Sequence, residues 1–257
     1  MPSAAALRIE IEHVLERRFP AALTPVPRTI RETATTGIPE VDALLDGGLP
    51  VGEISEVTGP KSSGRTSLAL SFLAQQTQDG RVCAWVDTGD TFDPESAAAN
   101  GVSLRQLLWV RCHSATGPAK GKPSTRGLTQ LDQALRATDL LLQAGGFAAI
   151  VLDLGDTATD DASRIPLATW FRFRQAADRA RCCLVVLGQT AYAQSSAEVV
   201  VECASLRPHI AGETVLNGFT FEVRRGRQRF TPASPAARKP PASTWSATSA
   251  WEAEVRA

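Results

Sequence analysis

The chain has 257 residues and a mass of 27.4 kDa; 43% of it is apolar, and 27 basic residues balance 27 acidic ones. This predicts one ordinary soluble domain with extensions, or two small ones, able to bury a sizeable core. No run of about 18 uncharged apolar residues occurs, which excludes a membrane-spanning helix, and the opening MPSAAALRIEIEH carries glutamates where a signal peptide needs an apolar run. Five cysteines without a C-x-x-C pair and three scattered histidines speak against a zinc site or a disulfide framework, so a cytoplasmic location is expected. The zero net charge hides a local excess. Residues 222–239 hold six basic residues (Arg224, Arg225, Arg227, Arg229, Arg238 and Lys239) against Glu222 alone, so any affinity for nucleic acid is expected to be local.

In chain order, residues 4–19 place Leu7, Ile11, Val14, Leu15 and Phe19 at helical spacing on one face. The predicted amphipathic helix either packs back on its own core or docks on a neighbouring subunit. Pro20 ends it, and an extended linker completes a first segment, 1–34. Strands are predicted at 53–58, 82–87, 107–111, 147–153 and 182–188, with helices at 66–78, 128–144 and 166–180. The unbroken apolar runs AAIVLDL and CCLVVLG suit the centre of a mainly parallel sheet covered by helices on both faces, hence an α/β core over 35–230. Two later strands, 199–203 and 220–223, are expected to extend one edge. The stretch SATGPAKGKPSTRG, 114–127, reads as a mobile loop. The tail, 231–257, lacks apolar periodicity and is predicted to be disordered and dispensable for folding. Its Trp245 and Trp251 either rest on the domain surface or form a linear motif that anchors a partner.

The most specific local signal is EISEVTGPKSSGRTSL, 53–68: a strand, a turn from Gly59 to Thr66, then a helix. The spacing is that of a phosphate-binding loop, G-x-x-x-x-G-K-[ST], whose glycines let backbone N–H groups face a polyphosphate at a helix start. Gly59, Lys61, Ser62, Ser63, Gly64, Arg65, Thr66 and Ser67 are therefore candidate nucleotide-binding residues, and Thr66 a candidate Mg²⁺ ligand. Arg65 stands where the motif has lysine. It keeps the charge but is longer, planar and forked, which suits holding phosphate better than transferring it. The alternative is a Gly-rich strand–helix turn that binds nothing. Asp153 ends the strand FAAIVLD and is the candidate second metal ligand; Asp87, which ends VCAWVD, competes for that role.

Together, TTGIPEVDALLDGGLPVGEISEVTGPKSSGRTS (35–67), VCAWVDTGDTFDP (82–94) and the strand ending in Gln189 resemble the RecA recombinase family over roughly 35–230. The resemblance implies a RecA-type P-loop core using ATP and Mg²⁺. It further implies Gln189 as a γ-phosphate sensor, Arg225 and Arg227 as basic residues reaching a neighbouring subunit's nucleotide, and an N-terminal helix serving self-association or contact with RecA. Three working groups of the family are replaced: the P-loop lysine by Arg65, the water-polarising glutamate by Gly89, and the adenine-stacking tyrosine by Ser96. Asp90 remains as a shortened, displaced base and Asp93 as the residue left to meet the adenine. The loops that bind DNA in the family map here to 154–163, acidic through Asp156, Asp160 and Asp161, and to 190–197, which has no positive charge but holds Tyr192, a side chain able to stack on a base.

Within the family the pattern is most similar to the ImuA-type accessory proteins. That implies a scaffold in DNA damage-induced translesion synthesis, part of the SOS response, that meets an inactive Y-family polymerase homologue (ImuB-like) and an error-prone polymerase. Nucleotide would be bound weakly or structurally, and fast hydrolysis is not expected. A DNA-dependent ATPase recombinase acting on single-stranded DNA is the alternative; a SulA-like cell-division inhibitor is the third reading.

Overall fold

The computed structural model describes residues 32–113, 129–211, 215–228 and 242–248. The proposed N-terminal helix, the 114–127 loop and Trp251 lie outside these residues. Among the described residues no helix is long and apolar enough to cross a membrane.

A two-stranded ribbon, β1 (Thr33–Ala34) with β2 (Leu49–Pro50), flanks the short helix α1 (Pro39–Leu44). The main sheet follows: β3 (Ile54–Thr58), α2 (Arg65–Gln78), β4 (Cys83–Asp87), α3 (Pro94–Ala99), β5 (Leu107–Arg111), α4 (Gln130–Ala144), β6 (Ala149–Asp153), α5 (Thr159–Ser163), α6 (Leu167–Ala180), β7 (Cys183–Gly188), β8 (Ala197–Ala211), β9 (Val215–Gln228) and β10 (Ala242–Thr248). The strand order is β10-β9-β8-β3-β7-β6-β4-β5. From β8 to β5 every pairing is parallel, and β9 and β10 add antiparallel strands at one edge. The mainly parallel α/β core predicted above is therefore present.

The apolar strand runs divide by parity, because successive side chains point to opposite faces. Trp85, Val151, Val185 and Leu187 join Leu68, Phe72 and Leu73 of α2 on one face. Val86, Ile150, Leu152, Leu184 and Val186 join Trp170 and Phe173 of α6 on the other. A partly buried ion pair reinforces the second face: Arg174 of α6 donates through Nε to the buried Glu53 Oε2 at 2.7 Å and through Nη2 to Oε1 at 3.3 Å.

One expectation needs correction. The tail is not devoid of order, since Ala242–Thr248 pairs along β9 from Arg224 to Gly218. Trp245, 7% exposed, stacks on Phe221 with ring centroids 4.2 Å apart. Of the two roles open to this tryptophan, the packed one is realised, and its ring is not free to anchor a partner. Periodicity could not reveal the strand: ASTWSAT has one large apolar residue, and its stability comes from a partner strand and a ring more than twenty residues away in the chain.

Candidate functional site

The C-terminal ends of β3, β4, β6 and β7 carry Thr58, Asp87, Asp153 and Gly188, and this end of a parallel sheet is where such folds bind ligands. Asp87 and Asp153 are register partners, as are Thr58 and Gly188. The Gly59 N–H donates to Gly188 O at 3.2 Å, which fixes the start of the turn. Gly59 has φ +152°, and a β-carbon there would stand 2.4 Å from Cys203 O. Gly64 has φ +92°, and a β-carbon there would lie 2.2 Å from Phe221 Cδ1. Both positions need glycine. Phe221, backed by Trp245, thus forms the floor under the loop. Gly64 is also the N-cap of α2 and gives no side-chain cap, so the first N–H groups of this 14-residue helix are left for an anion.

A cavity of about 460 Å³ opens beside the loop, lined by Lys61, Ser62, Arg65, Thr66, Asp93, Ser96, Asp153 and Asp156 among others. The structure thus brings together most of the residues singled out from sequence. Arg65 is 9% exposed, and its Nη1 is buried without a hydrogen-bond partner. Ser63 Oγ is likewise buried and unpartnered. Unmet donors around an uncapped helix start fit a polyphosphate. Lys61, by contrast, is held by Asp156 at 2.6 Å. Gln189, the residue just past β7, donates through Nε2 to Gly155 O at 3.3 Å, tying it to the loop after Asp153.

Asp153 accepts from the Gly155 N–H at 2.9 Å. Burial pushes its carboxyl up to about 6, with the Asp87 charge adding to the shift and Arg65 opposing it. The ligand set expected for Mg²⁺ does not fit this arrangement. A β-carbon placed on Gly155 would meet Asp153 Oδ1 at 3.0 Å and Arg65 Nη2 and Nη1 at 3.3 and 3.5 Å, so the guanidinium occupies the carboxylate's side of the cavity. Asp87 is no substitute ligand. Its Oδ1 accepts from Thr91 N at 3.0 Å, and its Oδ2 from Phe92 N at 2.9 Å and Trp109 Nε1 at 3.2 Å, which makes it the peg of the following loop.

Several of the residues singled out from sequence have partners within the chain. Asp90 is not poised as a base, because it is locked to Arg111 by Nε–Oδ1 and Nη2–Oδ2 contacts of 2.7 and 2.8 Å. That bidentate pair holds its carboxyl below the ordinary value, the opposite of what a general base needs. Arg111 also lies 4.7 Å above the Trp109 ring. Asp93 reaches the cavity wall, but its oxygens accept from Glu95 N at 3.2 Å and Ser96 N at 3.1 Å as the N-cap of α3, and it also takes the Ser96 hydroxyl. Those bonds hold its carboxyl below the ordinary value and leave less of it for an adenine.

In the single chain, Arg225 and Arg227 make bonds to groups of their own chain. Arg225 Nη1 reaches Gln228 Oε1 at 3.1 Å and Leu44 O at 3.4 Å, and lies 3.6 Å from Asp46 Oδ2. Arg227 donates to Gln194 O. Tyr192 is 4% exposed, and a β-carbon on Gly188 would lie 2.6 Å from its ring, so it cannot stack on a base as placed. Its loop is pinned by the buried Glu56, whose Oε1 accepts from Tyr192 N at 2.5 Å and Ala193 N at 2.8 Å. Sequence reasoning placed Asp156 only in the acidic 154–163 loop and not at this cavity. A β-carbon on Gly89 would stand 3.2 Å from Asp156 Cβ and 3.7 Å from its Oδ2, so a carboxylate from another strand's loop fills the space beside the vacated glutamate position.

A parallel sheet with a glycine turn, an uncapped helix start and an acidic strand end defines the P-loop α/β class. Residues 23–162 match the RecA N-terminal domain, and the chain belongs to that family. It is similar to the Protein RecA of Ruegeria pomeroyi, at 31% identity over 173 residues, 62% of this chain and 45% of that protein. It is 39% identical over 123 residues to the Protein RecA of Allorhizobium ampelinum, covering 48% of this chain and 30% of that protein. For Colwellia psychrerythraea Protein RecA the identity is 37% over 123 residues, with coverage of 48% and 31%. The chain spans less than half the length of these curated relatives.

Proposed function

We propose that the chain is an ImuA-type accessory protein of DNA damage-induced translesion synthesis, a RecA-related scaffold in DNA repair that binds ATP weakly and does not turn it over. The observation that carries this reading is the state of the water-activating position. Gly89 has no side chain, and the neighbouring Asp90 is committed to Arg111. What remains is a phosphate cradle around a buried guanidinium, suited to holding a nucleotide and lacking the base that would activate water. On this reading the partners are an inactive Y-family polymerase homologue and an error-prone polymerase.

A second reading, a DNA-dependent ATPase, is favoured by one observation: the Asp156 carboxylate beside Gly89. Turnover by the full chain, with and without single-stranded DNA, separates the two. The scaffold reading expects no stimulation. A rate per site above about 0.1 s⁻¹, near the slow end of ordinary enzymes, overturns it. A stable complex with the Y-family homologue from the same genome, seen by gel filtration in nucleotide-free buffer, is the positive expectation.

A further inference from the structure

We propose that the Arg65 guanidinium takes the place of the divalent cation, so that this site accepts a nucleoside triphosphate free of metal. The inference rests on the nucleotide-binding part of the reading above and specifies the chemical form of the ligand.

A lysine at the start of the helix is a compact charge that stops at the phosphates, leaving the acidic strand end to a metal ion. Arg65 reaches further. Both of its terminal nitrogens approach the backbone of Gly155, two residues past Asp153, within 3.5 Å of the point where a β-carbon would stand. Asp153 Oδ1 lies 3.0 Å from that same point. The guanidinium is thus the cation that faces the acidic strand end, and it is buried at 9% exposure. A divalent ion brought between Thr66 and Asp153 would stand next to this fixed positive charge in a poorly solvated place, where like charges repel most strongly.

The guanidinium is also not spent on its surroundings. Nη1 is buried and has no hydrogen-bond partner, so its donor capacity is not used up within the chain and becomes available to a phosphate oxygen on a small turn of the side chain toward the cavity that Arg65 lines. The other nearby cation, Lys61, is exposed and paired with Asp156. The uncapped start of α2 adds backbone donors on the same side. These donors neutralise a triphosphate in part without a metal. Excess Mg²⁺ in solution, by converting free ATP into its metal complex, would then withdraw the form the site accepts.

The test is a titration of the full chain with ATP carrying a fluorophore on its ribose, read by anisotropy in EDTA and in millimolar Mg²⁺. The expected result is affinity in EDTA equal to or higher than in Mg²⁺, and a Mg²⁺-induced strengthening of more than about twofold overturns the proposal. Arg65→Lys shortens the cation and frees the acidic side, so its binding is expected to become at least about tenfold tighter in Mg²⁺ than in EDTA. A variant that keeps the wild-type indifference to metal overturns the assignment to Arg65, with circular dichroism confirming that the variant is folded. Mn²⁺, followed by electron paramagnetic resonance, gives a second readout: it is expected in the nucleotide complex of Arg65→Lys and not in that of the wild type. Absence of binding in either buffer overturns the nucleotide reading together with this inference, whereas strictly metal-dependent binding by the wild type overturns this inference alone.

Discussion

Asp153 and Glu53 show how far a carboxylate's surroundings decide its part in the molecule. Asp153 is raised from 3.8 to about 6, chiefly by burial. The native state therefore holds this proton more tightly than the unfolded chain does. Its stabilising effect is complete below the ordinary carboxylate range and is lost as pH rises through about 6. Asp153→Asn is expected to be more stable than the wild type at about pH 7.5 and no more stable at about pH 4, as read from urea midpoints at the two values. Glu53 has the reverse circumstances, being 1% exposed but doubly bonded by Arg174. Arg174→Ala leaves that charge buried with its main partner gone, at an expected cost of about 3 kcal/mol in chemical denaturation. The low end of the range applies because the Arg174 side chain is itself about a third exposed.

At the scale of elements, the strand formed by Ala242–Thr248 is part of the domain and not an appendage. Trp245→Ala removes a buried ring and is expected to cost about 3 kcal/mol. In a domain of this size that corresponds to a fall in Tm of roughly 6–12 °C, measurable by calorimetry. Truncation before Ala242 should lower Tm at least as much, reversing the expectation that the tail is dispensable. Gly64→Ala combines a positive φ with a collision against Phe221, so both Tm and nucleotide affinity are expected to fall. The loop from Thr190 to Ala197 is equally bound to its element. Glu56 on β3 fixes its backbone from inside the core, and desolvation by burial raises that carboxyl above its ordinary value.

For the whole molecule, the central strands and the three long helices were legible because their apolar runs and 3.6-residue spacing are local properties. The turn from Gly59 to Thr66 was legible for the same reason. β1 and β2, with two residues each, and α1 and α3, with six, are too short to carry a period. The true state of the site was hidden because it depends on pairs distant in sequence: Asp90 with Arg111, Lys61 with Asp156, Gly64 with Phe221. Charge alone also does not reveal the partners within the basic run, where Arg224 is paired with Glu222 and Arg225 is bonded to Leu44 O and Gln228. Arg225→Ala is accordingly expected to lower Tm while leaving the salt slope of any DNA binding unchanged; a slope shallower by about one would instead place that guanidinium on a phosphate. The floor of the phosphate cradle has a consequence for biosynthesis. Chains are made from the N-terminus, and domains begin to fold while still attached to the ribosome. The glycine at 64 emerges early, but the indole that backs its support is translated 181 residues later. The support beneath this loop is thus among the last features the nascent polypeptide acquires, after most of the sheet's strands have been translated.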